Sequence, residues 1–241
     1  MMLCSDELYR CRAENPFIRN TALHGRFAHQ RKRGTCRIHA IGAYEIHIRR
    51  FKAVPIGQDA CDQADAVTEK CYELFIYFAG DIVGGMYFDA YRVDPWIADW
   101  LFADIMDSQS EHNLKVAEAF LTCWRVKHLT RPILSWTLLW IDPEHSRRID
   151  WVVIFERFVA SVRPDIVLFE PYPYYLPKAT PQQIVDRGQL ALRRLYAVKI
   201  GAKLVSNHLP WMYCAAADFA PRRYHVKLVD CRVGGRSSRT R

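Results

Sequence analysis

The spacing of apolar positions changes several times along the chain, and each change marks an element. Ile133–Ile141 (ILSWTLLWI) is a nearly continuous apolar run of strand length, broken by Asp142-Pro143 and followed by the polar connection Glu144–Arg148. From Trp151, apolar residues recur at 151, 154, 155, 158, 159 and 162, which is one face of an amphipathic helix. Arg163-Pro164 stops that helix, and Ile166–Phe169 reads as a second buried strand. Thr180-Pro181-Gln182-Gln183 combines a Thr N-cap, Pro at the first helical position and Gln at the third. The helix it opens runs to Ile200, Gly201 is its natural stop, and Ala202–Val205 begins a further strand. This alternation predicts an α/β layer with helices packed on a sheet.

Upstream, Cys36–Phe51 alternates as a strand, most clearly in Tyr44–Phe51 (YEIHIRRF). Gln58–Lys70 is polar with helical spacing. Tyr72–Phe78 is a strand that turns at Gly80-Asp81 into Ile82–Tyr91. Asp94 as N-cap and Pro95 behind it predict a helix with Trp96, Ile97, Trp100, Leu101 and Ile105 on one side. A second helix, about Glu111–Leu129, turns Leu114, Ala117, Phe120, Leu121 and Trp124 inward. Trp211–Ala217 follows, and Tyr224–Val229 reads as the last strand. Residues 1–43 show no steady period and read as an extension, 44–230 as one domain with a helical insertion at about 94–130, and 231–241 as a disordered tail.

Composition narrows the classes. Half of the 241 residues are hydrophobic, which supports a sizeable core and excludes wholesale disorder. No stretch reaches the roughly 18 uncharged apolar residues that a membrane span needs. Asp6, Glu7, Arg10 and Arg12 interrupt any signal-peptide core, and the eight Cys form no C-x-x-C, so a cytoplasmic protein with reduced thiols is expected. Cys4-x6-Cys11-x12-His24-x4-His29 matches a Cys2His2 zinc pattern in its last two spacings and not in its first, and we take it as coincidental scatter. The net charge of +8 is uneven: residues 1–50 carry +6, residues 221–241 another +6, and 51–220 carry −4. Two basic arms around a mildly acidic core suit polyanions, above all nucleic acid; solvated tails kept for solubility are the alternative.

Four places in 44–230 together resemble the GNAT N-acetyltransferase superfamily: YEIHIRRF, the FAGDIVGGMYF hairpin, WIDPEHSRR, and Leu195–Ala202 (LYAVKIGA). The resemblance implies an α/β (α+β) fold with a central mixed sheet flanked by helices, binding acetyl-CoA as substrate. It places Trp140, Ile141, Ser146, Arg147, Arg148 and Ile149 against the cofactor and Tyr196 at the late-helix position of a general acid. The chain departs from the family in the turn after the Pro, where Ile149 and Trp151 stand at the positions of two glycines that let backbone N–H groups reach a pyrophosphate.

Acyl transfer asks for a base to take the amine's proton and an acid for the departing thiolate. A phenol, with a pKa of about 10, makes Tyr196 a plausible acid at neutral pH, although a core aromatic is its alternative role. Glu170, Asp142 and Glu73 are the candidate bases; the first two lie at strand C-terminal ends, where open α/β sheets place ligands. His145, in the turn, is a further candidate base or anion contact. Asp165 and Glu170 lack the Lys that a nuclease of the restriction type requires, since Tyr172 stands there. The expected function is an acyl-CoA-dependent N-acyltransferase on an undetermined acceptor. The alternative is a nucleic-acid-binding or regulatory protein on an inactive acetyltransferase fold.

Overall fold

A computed structural model describes residues 35–57, 65–172 and 180–215. Two strands, β1 (Thr35–Ile41) and β2 (Tyr44–Arg50), form a hairpin in full register from Thr35↔Arg50 to Ile41↔Tyr44. Residues 35–43 therefore belong to the sheet and not to an extension. Alternation across 36–51 concealed the turn at Gly42, whose φ is 61°.

After the short β3 (Val54–Pro55) come β4 (Val67–Phe78) and β5 (Asp81–Val93), the long central pair. Ala79 and Gly80 both take positive φ, 51° and 95°, the two-residue turn whose twist suits a tight hairpin. Val67–Lys70 is thus strand, where the spacing predicted helix. Its Val67, Glu69 and Cys71 are buried and Thr68 and Lys70 are not, a period of two that polar residues disguise.

Helix α1 (Asp99–Asp107) starts four residues later than Asp94-Pro95 suggested. The Asp94 carboxylate accepts from Trp96 N, closing a local turn instead of capping a helix. Trp96 and Trp100, expected on one side with Ile97 and Ile105, are 92% and 66% exposed, whereas Ile97 and Ile105 are buried. Helix α2 (Glu111–Cys123) is capped by the Ser110 hydroxyl and ends before a separate 3-10 turn, Val126–His128.

The rest follows the predicted order: β6 (Ile133–Ile141), α3 (Trp151–Val162), β7 (Ile166–Phe169), α4 (Gln182–Ile200), β8 (Lys203–Leu204) and β9 (Met212–Ala215). Helix α4 has Pro181 at its N-cap and no side-chain cap, so the Thr180 capping box does not form; Gly201 ends it at φ 67°. The strand expected at 224–229 lies outside the described residues.

The strands run β1-β2-β4-β5-β6-β7-β9-β8, with β3 beside β4, giving one mixed sheet. Every pairing is antiparallel except β6–β7. One face, with Leu74, Met86, Phe88 and Trp136, packs against Phe155 and Phe158 of α3 and Tyr196 and Ile200 of α4. The other splits in two. At one end Tyr91, Ile133 and Leu168 meet Phe102, Ile105 and Phe120 of α1 and α2. At the other, Phe75, Tyr77, Tyr87, Leu138 and Trp140 form their own cluster. Gly85 permits it: a Cβ there would lie 2.6 Å from Trp140 Nε1 and 3.1 Å from the Leu74 oxygen. Among the described residues no helix is long and apolar enough to cross a membrane.

Candidate functional site

The sheet opens where its one parallel pair ends. β6 and β7 pair from Ile133↔Ile166 to Trp136↔Phe169, and β6 then runs on through Ile141 with no β7 partner. At the same level β6 bulges: Phe88 pairs with Trp136 and Tyr87 with Leu138, so Thr137 has no partner on β5. An extra residue of this kind turns the strand. The effect is visible in the clusters, with Leu134 and Trp136 on the helix face before the bulge and Leu139 and Ile141 there after it.

Tyr196 packs at this opening. Its ring centroid lies 5.3 Å from that of Trp136, 5.1 Å from Phe169 and 5.8 Å from Trp151, all near edge-on, the favoured arrangement for aromatic quadrupoles. Beside it, a recess of about 20 Å³ is lined by Thr137, Phe169, Glu170, Tyr172 and Tyr196. That volume holds about one water. Two residues selected from sequence, Tyr196 and Glu170, therefore come together.

Glu170 is half-buried. Burial pushes its carboxyl above the ordinary range, while the charges of Lys115 and Arg193 pull it partly back. A carboxyl raised in the fold destabilises it once ionised, so its contribution to stability is largest at acid pH and is lost as pH rises through the folded value. Glu170→Gln should therefore raise the melting temperature near pH 8 by about 1–3 °C and change nothing near pH 3. Thermal melts of both proteins at the two pH values check this; equal melting at both would mean that the carboxyl is well solvated.

The other predicted residues separate. Asp142 accepts from Glu144 N and stiffens its own turn, away from the recess lining. Glu73 is fully buried on the opposite face, with Arg49 at 3.7 Å. His145 Nδ1 lies 3.4 Å from the Tyr44 hydroxyl, and its ring meets Phe78 at 5.0 Å, which makes it a packing residue of the turn. Trp140 and Ile141, both assigned to one cofactor, sit in different clusters on opposite faces. Ile149 is buried in the core.

The turn before α3 is not an open anion cradle. The N–H groups of His145, Ser146, Arg148 and Ile149 bond within the turn. The Asp150 carboxylate accepts from Val153 N, so a negative group already caps α3 where a phosphate would otherwise sit. Arg147 and Arg148 are exposed and supply the remaining positive charge.

Two features escaped the sequence reading. A cleft of about 360 Å³ between the β1–β2 hairpin and α3 has Ile46, Ile48, Leu74 and Phe158 in its lining with Arg37, Arg50 and Arg157; none of the predicted site residues lines it. A row of buried polar side chains also crosses β4, β5 and β6. Compared with protein-family models, with curated proteins and with solved structures, the chain matches none.

Proposed function

We propose that the chain is an acyl-CoA-dependent N-acyltransferase of the GNAT type, with the opening between β6 and β7 as its acyl site. The observation that carries this reading is the parallel pair that separates after Trp136 and Phe169 with Tyr196 and Glu170 at its mouth. Beyond that point one edge of β6 has no strand to pair with among the described residues. An unpaired strand edge suits an extended chain bearing amides, which the pantetheine arm of CoA is. Leu138 O is already taken by Trp136 Nε1 at 3.0 Å, so the edge is only partly on offer.

The chemistry balances on these groups. The acceptor amine gives a proton to Glu170 and attacks the thioester carbonyl; the C–N bond forms, the C–S bond breaks, and Tyr196 protonates the thiolate. A recess of about 20 Å³ is too small for an acyl thioester, so binding has to widen it. With most of the turn's N–H groups bonded within it, the phosphates depend chiefly on the side chains of Arg147 and Arg148, and binding is weak.

Calorimetric titration of acetyl-CoA tests this. Asp150→Asn keeps a competent N-cap and removes the charge facing the phosphates, so affinity should rise about 2–5-fold. Arg147→Ala combined with Arg148→Ala should lower it about tenfold or more. Unchanged affinity in both variants places any CoA elsewhere.

The same filled turn favours a second reading, a nucleic-acid-binding or regulatory protein on an inactive acetyltransferase fold, with contact through the basic termini. Under it, affinity for duplex DNA should fall steeply with salt as counterions are released. Removing residues 1–34 and 231–241 should flatten that slope, and an unchanged slope would move the contact onto the sheet domain.

A further inference from the structure

We propose that Glu69, Cys71 and Asp89 bind a divalent cation of zinc-like character inside the sheet, with Ser135 at the open coordination position. The strand register sets out the site. Cys71 on β4 is the direct partner of Asp89 on β5, and Asp89 is the direct partner of Ser135 on β6. Directly opposed residues on neighbouring strands share a face, so these three form a transverse row, with Glu69 two positions from Cys71 on the same face.

One ligand atom each from Glu69, Cys71 and Asp89 lies within 4.8 Å of the others. Tetrahedral zinc with bonds of about 2.0–2.3 Å holds its ligand atoms about 3.3–3.8 Å apart, so closing on an ion needs about 1 Å of side-chain movement. All are buried, with relative exposures of 9% for Glu69, 4% for Cys71, 2% for Asp89 and 0% for Ser135.

An independent observation points to a ligand. The Ser135 hydroxyl is completely buried and has no hydrogen-bond partner. A buried hydroxyl left without a partner is costly, and this one stands beside the carboxylate of Asp89. A water on the fourth position of the cation would satisfy it. Thr137 Oγ1 donates to Asp89 Oδ2 at 3.2 Å, which orients that carboxylate and leaves its other oxygen for the ion.

Donor chemistry selects the metal. A thiolate disfavours magnesium and calcium, and two carboxylates disfavour copper(I); zinc, with cobalt(II) as its spectroscopic substitute, accepts both. On binding, the Cys71 thiol releases its proton to solvent, with no redox change. The ion cross-links β4 and β5 and, through its water, the strand that carries the bulge.

The full-length chain, stripped of metal with a chelator and titrated with cobalt(II), should bind one ion with a thiolate-to-cobalt absorption band in the near ultraviolet. Cys71→Ala should abolish the band. Ser135→Ala removes an unpartnered hydroxyl and so should fold normally, yet weaken binding about 10–100-fold. Absence of the band in the unmodified chain overturns the site, as does a band that survives Cys71→Ala, which would place the thiolate elsewhere. Unchanged affinity in Ser135→Ala overturns the part given to that residue.

Discussion

Changing Tyr196 to Phe is expected to reduce acyl transfer about 100-fold while the fold stays close to its original stability. The substitution keeps the ring, and the ring makes the contacts with Trp136, Trp151 and Phe169. Loss of a buried hydroxyl bond costs about 1 kcal/mol, or about 2–4 °C in melting for a chain of this size. Loss of the group that protonates a departing thiolate reaches the rate directly. Release of free thiol from acetyl-CoA supplies the assay where the acceptor is undetermined. Full turnover in the variant would leave Tyr196 a packing residue and the proposed chemistry without its acid.

The largest stability effect is expected at Trp136. Its ring lies 4.6 Å from Phe155, 5.2 Å from Phe169 and 5.9 Å from Phe88, and its Nε1 donates to Leu138 O across the bulge. Trp136→Ala should cost about 3–5 kcal/mol, because a buried aromatic leaves a cavity that strands on both sides keep from collapsing. Denaturant unfolding gives the value directly. A loss below about 1 kcal/mol would mean that the sheet is not held together at this point. Trp136→Phe should recover much of the loss without restoring the bond across the bulge.

The elements easiest to find in the sequence are those whose apolar pattern is unbroken. Ile166–Phe169 and the apolar face of Trp151–Val162 were legible because burial there is nearly continuous. Thr35–Ile41 was not separated from Tyr44–Arg50 because the alternation of apolar and polar residues continues across the turn at Gly42. The start of α1 was misplaced because Asp94-Pro95 is equally good chemistry for a turn. Pairing of Tyr196 with Glu170 could be anticipated, since both lie near the ends of elements that meet at the sheet opening.

The row Cys71, Asp89 and Ser135 could not be anticipated in the same way. Its members are brought together by register between strands, and no spacing along the chain encodes which residues face each other. Local sequence also presents Glu69 and Asp89 as ordinary solvent-facing acids, which only the sheet's covered face contradicts. The closed turn before α3 depends likewise on one carboxylate, Asp150, reaching back over the helix start.

The bulge at Thr137 has a consequence for how this strand tolerates change. A pleated strand is read in pairs, and one unpaired residue shifts the reading frame for everything after it. Before the shift, even-numbered positions such as Leu134 and Trp136 belong to the helix side; after it, odd-numbered Leu139 and Ile141 do. The two halves of Ile133–Ile141 should therefore accept hydrophobic substitutions in opposite phase. A single deletion at Thr137 would make the pairing with β5 continuous and leave Trp140 in the space that Gly85 provides for its indole, whereas a deletion at Leu139 would carry Trp140 towards α3.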